Sequence, residues 1–444
     1  MGEDQVNRFV WVSSTGENLS VALRMQDEGA DISVYVHNPE YKNVYSGMLK
    51  QRVNGVSELA ALLRDADPKS TTIIFDGMPR ATQRDEDIEI AKIRGIYKPQ
   101  TKGTALFGAL GGFLQRKKDF TVVGATRLGD DLHHSRTECY DFADTLGVQR
   151  PEHYSHDDCV ESVVESLQTQ PFASKTCEMV YAGGRYVERE PGELLKKMRG
   201  SGWYPEAIDE HGFVITVVSP GAMIREEAWF DGAQFRALTG VMEKTRLMPG
   251  GLGPEVGVSM SLRWAKRSPL FKWDRLREVL QQKNYVGPAS ATFRIAGHGA
   301  LLTEWTIGLC GQPSIFSMIR GGISSWFDRG FSAAIDEDVT ALGVLVSIPP
   351  FPTSNAGTAG VELNVRPSSG VYLIDARQGV KNLECAGTSG AVAHIIGRDS
   401  DPVGTVNALD AQIRGFSASS DLQYRTDYSD LMKEFRQLNP RFRR

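Results

Sequence analysis

No two cysteines in the sequence stand in a Cys-x-x-Cys spacing, and the five that occur (Cys139, Cys159, Cys177, Cys310 and Cys385) are scattered along the chain. That distribution offers neither a disulfide framework nor a thiolate zinc site, and it fits a reducing compartment. No apolar run reaches the length that spans a bilayer, and the N-terminus carries no signal-peptide pattern, so a cytoplasmic protein without membrane contact is expected. Strong charge of one sign is missing too. The formal net charge is −5 over 444 residues, so no global basic field argues for nucleic acid. The basic C-terminal stretch from Arg436 to Arg444 is short and reads as a solvated tail. The first strand–helix turn, Ser14-Thr-Gly-Glu-Asn18, lacks GxGxxG, which excludes the usual dinucleotide fingerprint there.

What is present is chain enough for roughly three domains, with a βαβ pattern at its start. Phe9 to Ser13 and Ile32 to Val36 read as strands around a helix from Leu19 to Glu28, and Thr72 to Phe75 and Thr121 to Gly124 as two more. That order predicts a parallel sheet. Asp76 and Gly77 follow the third strand, at the end where open α/β sheets place ligands. Gly103 to Gly112 reads as a loop or a tightly packed helix. Ser135 is a plausible N-cap for a helix that Gly147 ends. His133 and His134 are adjacent, cannot share one helix face, and are expected at the surface. Further on, strands are expected over Cys177 to Val187 (turned at Gly183-Gly184), Phe213 to Val218, Glu226 to Phe230, Ala291 to Ile295 and Leu301 to Trp305. Short helices are expected over Pro191 to Met198 and Asp274 to Gln282.

One stretch, Glu243-Lys-Thr-Arg-Leu-Met-Pro-Gly-Gly-Leu-Gly-Pro-Glu-Val-Gly-Val-Ser-Met260, concentrates chemistry-bearing features. Gly250, Gly251, Gly253 and Gly257 free the backbone for positive φ or close approach, and Pro254 stiffens the middle. Lys244 and Arg246 place cations beside it. Successive N–H groups in such a loop form an anion-binding concavity. Taken alone, the stretch also reads as a glycine-rich turn joining two strands.

The order of motifs carries a resemblance. It runs from Ser135-Arg136 opening a helix, through a region around Lys175, to Glu227-Ala-Trp-Phe-Asp-Gly232 and the Arg246…Gly250…Gly253-Pro254…Gly257 loop. Tyr285-Val-Gly-Pro288 and Thr303-Glu-Trp305 follow, then Ala386-Gly-Thr-Ser-Gly390, His394-Ile-Ile-Gly397 and Leu422-Gln-Tyr-Arg-Thr-Asp427. Over almost its full length the chain resembles, in divergent form, phosphoribosylamine–glycine ligase, the purine-synthesis member of the ATP-grasp superfamily. The resemblance implies an α/β and α+β architecture. A Rossmann-like pre-ATP-grasp domain would span residues 1–134, and an ATP-grasp domain residues 135–346 with a small lobe at about 160–220. A C-terminal β-rich domain would span 347–444, entered at the Pro349-Pro350 pair. Divergent relatives of the family also occur in bacteriophage genomes.

The resemblance further implies an ATP-dependent carboxylate–amine ligase that works through an acyl phosphate, with ATP and Mg2+ as cofactors and a small carboxylate and an amine as substrates. It assigns Arg246 and Glu304 to catalysis, and Arg136, Lys175 and Glu227 to the nucleotide. Lys244, Gly250, Gly253, Pro254 and Gly257 fall to the substrate, and Glu304 and Thr306 to the metal. The pattern is eroded in places. The family's E-x-N-x-R reads Glu304-Trp-Thr306-Ile-Gly308, Glu255-Val256 replaces Asn-Thr in the loop, and Met223 stands where Glu is common. The hinge from Thr216 to Gly221 has no acidic residue. Glu362-Leu-Asn-Val-Arg366 fits E-x-N-x-R letter for letter, but at another place in the order. A second reading is therefore a catalytically eroded relative that binds a nucleotide or phosphate, or serves in assembly. Neither the carboxylate and amine nor the oligomeric state is named by the sequence.

Overall fold

The computed structural model describes residues 8–79, 85–93, 106–155, 176–181, 184–188, 196, 213–218, 221–266, 269–296, 299–309, 313–328, 334–365 and 370–442. Its N-terminal part is a five-stranded sheet of β1 (Arg8–Ser13), β2 (Asp31–Val36), β3 (Gln51–Val53), β4 (Thr71–Asp76) and β5 (Thr121–Val123), in the order β3-β2-β1-β4-β5 with all pairs parallel. Helices Leu19–Asp27, Val56–Asp65 and Phe107–Lys118 connect and cover it. A parallel sheet covered on both faces needs near-continuous apolar strands, which is what Phe9-Val-Trp-Val12 and Thr72-Ile-Ile-Phe75 supply. The strand order reverses between β1 and β4, so their C-terminal ends, Ser13 and Asp76, frame a crevice. The glycine-containing segment that allowed two readings is a helix from Phe107.

Helix Arg136–Leu146 starts as expected: the Ser135 side chain accepts from the Glu138 N–H, and Gly147 closes it in the left-handed conformation. A small antiparallel sheet follows, of β6 (His153–Ser155), β7 (Thr176–Tyr181), β8 (Gly184–Glu188) and β9 (Phe213–Val218), ordered β6-β9-β7-β8. Of the helix expected over Pro191 to Met198, Lys196 alone is among the described residues, and it is helical.

The centre of the molecule is an eight-stranded antiparallel sheet. It contains β10 (Ala222–Phe230), β11 (Phe235–Met248), β12 (Leu252–Ala265), β13 (Gly287–Ala296) and β14 (Gly299–Ile307). A two-stranded ribbon of β15 (Ile319–Arg320) and β16 (Ala334–Ile335) precedes β17 (Thr340–Ser347). After β18 (Glu362–Asn364), β19 (Val371–Leu373), β20 (Ala376–Gln378) and β21 (Leu383–Cys385) comes the long β22 (Ala391–Asp399), and β23 (Ser417–Ala418) is the last strand. The central order is β14-β13-β10-β11-β12-β17-β22-β19, and β20-β21-β18-β23 form a separate four-stranded sheet. Residue 346, expected as a boundary, lies within β17, whose neighbours are β12 and β22; the sheet runs across that point. Helices Trp273–Gln282, Pro402–Arg414 and Tyr428–Phe442 pack around these sheets.

One apolar core spans the N-terminal, central and C-terminal sheets. Its aromatic hub sets Trp11 of β1 against Phe327 (5.6 Å between centroids), which in turn meets Trp229 of β10 at 5.5 Å. The end of β4 is also stitched to the residues after β14: the Gly77 N–H donates to the Leu309 carbonyl at 3.0 Å. These ties bring the C-terminal ends of β1 and β4 to face the central sheet. Among the described residues no helix is long and apolar enough to cross a membrane.

Candidate functional site

Where those elements meet lies a cleft of about 470 Å³. Its floor is the central sheet. Strand alternation puts Arg225 and Glu227 of β10 on one face and Glu226 on the other. The registers Arg225↔Thr292↔Glu304 and Glu227↔Ser290↔Thr306 then extend two polar rows across β13 and β14. Arg225, Thr292, Glu304 and Thr306 line the cleft together with Glu243 and Thr245 of β11. One wall is the turn after β1, with Thr15 and Glu17. The hairpin residues Glu255 to Val258 form another, and Thr388, Ser389 and His394 close the C-terminal side.

The floor is an ion network. Arg225 meets Glu243 at 2.7 Å and Glu227 at 3.8 Å. Arg263 of β12, with no exposed surface, meets Glu227 at 3.1 Å and also donates to Thr239 (2.7 Å) and Ser314 (2.9 Å). Burial drives the Glu227 carboxyl upward, but Arg263 and Arg225 outweigh it and hold Glu227 below the usual carboxylate range. Glu243 goes the other way: burial, with Glu227 and Glu304 nearby, raises it despite Arg225. On the opposite face Glu226 pairs with buried Lys266 and accepts from the Leu270 N–H.

The wall at β1 is held by Asp76. Its carboxylate accepts from Ser13 Oγ at 2.7 Å and from Asn18 Nδ2 at 2.8 Å, fixing the turn between them. Glu17 is carried on that turn. Its side chain opens onto the cleft, yet the crowding walls and then Asp76 push it up to about 7. Across the cleft, burial pushes His394 down to about 4.

The site residues expected from sequence are not all brought together. Glu304 and Thr306 line the cleft, and Arg136 sits beside them, donating to the Thr303 carbonyl with its guanidinium 4.0 Å from Glu304. Glu227 lies beneath, in the ion network. Gly257 lines the cleft wall. Lys244 and Arg246 point the other way, because on β11 they alternate with Glu243 and Thr245. Lys244 Nζ pairs with Glu434 of the C-terminal helix at 2.5 Å, and Arg246 donates to the Gly253 carbonyl at 3.0 Å. Gly250, Gly253 and Pro254 form the exposed tip of the β11–β12 hairpin. The glycines take positive φ there, as the composition predicts, so the stretch is a hairpin turn. The Gly250 N–H donates to Asp427 at 3.1 Å. Lys175 lies outside the described residues. Glu362 of the rival motif is on β18, away from the cleft lining.

One expectation needs correction. His133 and His134 are half-buried, not surface residues: the helix Arg127–His134 packs against β14, His134 Nε2 lies 2.6 Å from the Met78 carbonyl, and His133 lines the cleft. Asp76 stands at the expected strand end, where it is buried and braces the turn after β1. Sequence reasoning missed Glu17, Arg225, Glu243 and Arg263. Glu17 had a signal, since it follows the first strand of a parallel sheet. The other three lie inside strands, where nothing local shows which face a charge will take, and had none. Among the described residues no group of three or more His, Cys, Asp or Glu side chains is placed to hold a metal ion.

Comparison with solved structures places this geometry. A crystal structure of phosphoribosylamine–glycine ligase from Thermotoga maritima matches 94% of this chain and 99% of its own, with a TM-score of 0.63 at 13% identity. The biotin carboxylase domain of 2-oxoglutarate carboxylase from Hydrogenobacter thermophilus, in complex with MgADP, ADP and bicarbonate, matches 93% of this chain and 90% of its own (TM-score 0.59, 11% identity). For N5-carboxyaminoimidazole ribonucleotide synthetase from Thermus thermophilus the shares are 91% and 97%, with a TM-score of 0.53 at 15% identity. The chain has the ATP-grasp fold. It is a divergent example, since no protein-family model and no curated protein matches its sequence. Identities this low speak for the fold alone, and the site has to be argued from its own residues.

Proposed function

We propose that the protein is an ATP-dependent carboxylate–amine ligase. The observation that carries this is the cleft itself: the oxygen-bearing side chains of Glu304 and Thr306 share one strand face and one cavity, with Arg136 beside Glu304. The cavity also lies against the strand ends where an α/β sheet of this order takes ligands. In the proposed reaction the ATP γ-phosphoryl moves to a substrate carboxylate, giving an acyl phosphate and ADP. The amine nitrogen then attacks the carbonyl carbon, the carbon–oxygen bond to phosphate breaks, and an amine proton leaves with the inorganic phosphate.

Magnesium in such reactions is held by one or two carboxylates plus substrate phosphates and water, not by an all-protein cage. A Glu304–Thr306 pair fits that donor set, and the metal would neutralise triphosphate charge. Arg136 would orient Glu304, and Lys175 would contact the nucleotide phosphates. The test is ATP titration by calorimetry with and without magnesium. Magnesium-dependent binding is expected, lost in Glu304→Gln and weakened by about 1.5–3 kcal/mol in Lys175→Ala. The engagement of Lys244 with Glu434, and of Arg225 with Glu243, favours the second reading, a non-catalytic relative. Absence of ATP binding by the parent would decide for that reading.

A further inference from the structure

The strands that line the cleft change character along the central sheet. β10, β11, β13 and β14 present Arg225, Glu243, Thr245, Thr292, Glu304 and Thr306, with Met223 the exception. β17, β22 and the residue after β19 present Leu345, Ala391 and Ile374. Tyr41 and Phe351 also line the cleft, and the fold gathers them at this second end. Tyr45 donates through its N–H to the Ala376 carbonyl and through its hydroxyl to the Leu373 carbonyl, both at 2.6 Å. Those bonds tie the segment that carries Tyr41 to the chain on either side of Ile374. The Ile374 N–H in turn donates to the Val392 carbonyl at 2.8 Å, next to Ala391. Asp375 accepts from the N–H groups of Thr388, Ser389 and Gly390, and a Cβ added at Gly390 would stand 3.4 Å from Phe351 Cβ. Leu345 stands opposite His394 in register, and burial keeps the His394 ring neutral at neutral pH.

The cleft is therefore amphipathic among its described residues, polar toward β14 and apolar toward β22. An apolar wall facing water gains from any apolar group that covers it. The polar groups at this end do not change that balance. Burial raises the Glu17 carboxyl to about 7, so it is only partly charged near neutral pH. Thr388 donates its hydroxyl to Asp375, and Ser389 Oγ accepts from the Ala391 N–H, both within their own turn. An apolar cavity of about 150 Å³ takes a benzene-sized ring, and the whole cleft holds about 470 Å³. We propose that the substrate meeting the nucleotide in this cleft carries a bulky apolar side group, the size of a leucine or phenylalanine side chain, seated against Tyr41, Leu345, Phe351 and Ile374. The word substrate rests on the ligase reading. The apolar preference of this end of the cavity stands without it.

The experiment is calorimetric titration of the full chain with L-phenylalanine, L-leucine, L-serine and glycine. These share one head group, which offers both the carboxylate and the amine that the ligase reading calls for, and they differ in the side chain alone. Each titration is run without and with magnesium and the ATP analogue adenylyl imidodiphosphate, whose own binding is measured first. Phenylalanine and leucine are expected to bind about tenfold to a hundredfold more tightly than glycine and serine. Their binding should carry a negative heat-capacity change, the mark of buried apolar surface. Phe351→Ala and Ile374→Thr are each expected to narrow the gap between phenylalanine and glycine about three- to tenfold. Both side chains are half-buried, and circular dichroism melts check that each variant folds. Glycine or serine binding as tightly as phenylalanine, no amino acid binding by the parent in either series, or a gap indifferent to both substitutions would overturn the proposal. A preference for phenylalanine without binding of the ATP analogue would sink the ligase reading and leave the apolar preference standing. Magnesium-dependent binding of the analogue with no preference for phenylalanine or leucine would do the reverse.

Discussion

The buried and projecting halves of strand β11 hold their charges in different ways. In the buried half Glu243 meets Arg225, which with Glu227 and Arg263 forms a network closed on itself. In the projecting half Lys244 and Arg246 leave the sheet on the far face, and the opposite strand of the hairpin offers Glu255 to the cleft. The buried network is stiff because each ion has lost its water and depends on its partner. The projecting half is partly hydrated, so its charges are cheaper to change. Buried and partly solvated ion pairs are thus separated along one hairpin.

That contrast can be broken most severely at Arg263. Arg263→Met leaves Glu227 buried beside Arg225 alone, and a loss of about 3–5 kcal/mol is expected in urea denaturation. Adding Glu227→Gln should recover part of it, because the stranded charge is then gone. Recovery of nothing would mean that packing, not charge, holds the floor.

At the hairpin tip the cost should be smaller. Gly253 has φ +75°, and an added Cβ would stand 2.7 Å from Met248 Cγ. Met248 is exposed and can swing away, so the cost of Gly253→Ala is chiefly the left-handed backbone, about 1–2 kcal/mol. ATP binding should survive it, since Gly253 is not part of the cleft lining.

Lys244→Ala sharpens the comparison from the other side. Its pair with Glu434 is partly solvated, so denaturation should move by less than about 1 kcal/mol. A loss as large as that at Arg263 would erase the distinction between the two halves.

The smallest effect is a change of slope. Glu17 rises from 4.5 to about 7 in the folded protein, so the folded state holds a proton that the unfolded state has released. Its contribution is present below pH 4.5 and lost as pH rises through 7. His394, lowered from 6.5 to about 4, acts oppositely: its contribution is present above 6.5 and lost as pH falls. Comparing Glu17→Gln with the parent cancels the His394 part. The variant should gain thermal stability relative to the parent between pH 4.5 and 7. A flat difference would place Glu17 in bulk water.

Much of the fold was legible in the chain. Apolar runs gave β1, β2 and β4, because a parallel sheet buried on both faces leaves no room for polar alternation. Ser135 and Gly147 marked both ends of their helix through local backbone chemistry. The glycines at 250, 253 and 257 announced positive φ for the same reason. These are properties of a few neighbouring residues, and no distant partner alters them.

The site was legible only in part. Alternation told that Glu243 and Lys244 face opposite sides of a strand, but not which side is the cleft. That was decided by the packing of the Tyr428–Phe442 helix, whose Glu434 lies 190 residues from Lys244. The same holds for the glycine loop and the Gly387–Gly390 turn. Their N–H groups could be counted from sequence, whereas Asp427 and Asp375 as their acceptors could not. A backbone donor takes whatever acceptor the fold brings within 3 Å or so. The sequence by itself therefore determined the N-terminal parallel strands, the helix caps and the turns. Tertiary structure alone decided which charges pair with each other and which side chains line the cleft, because those partners come from distant parts of the chain.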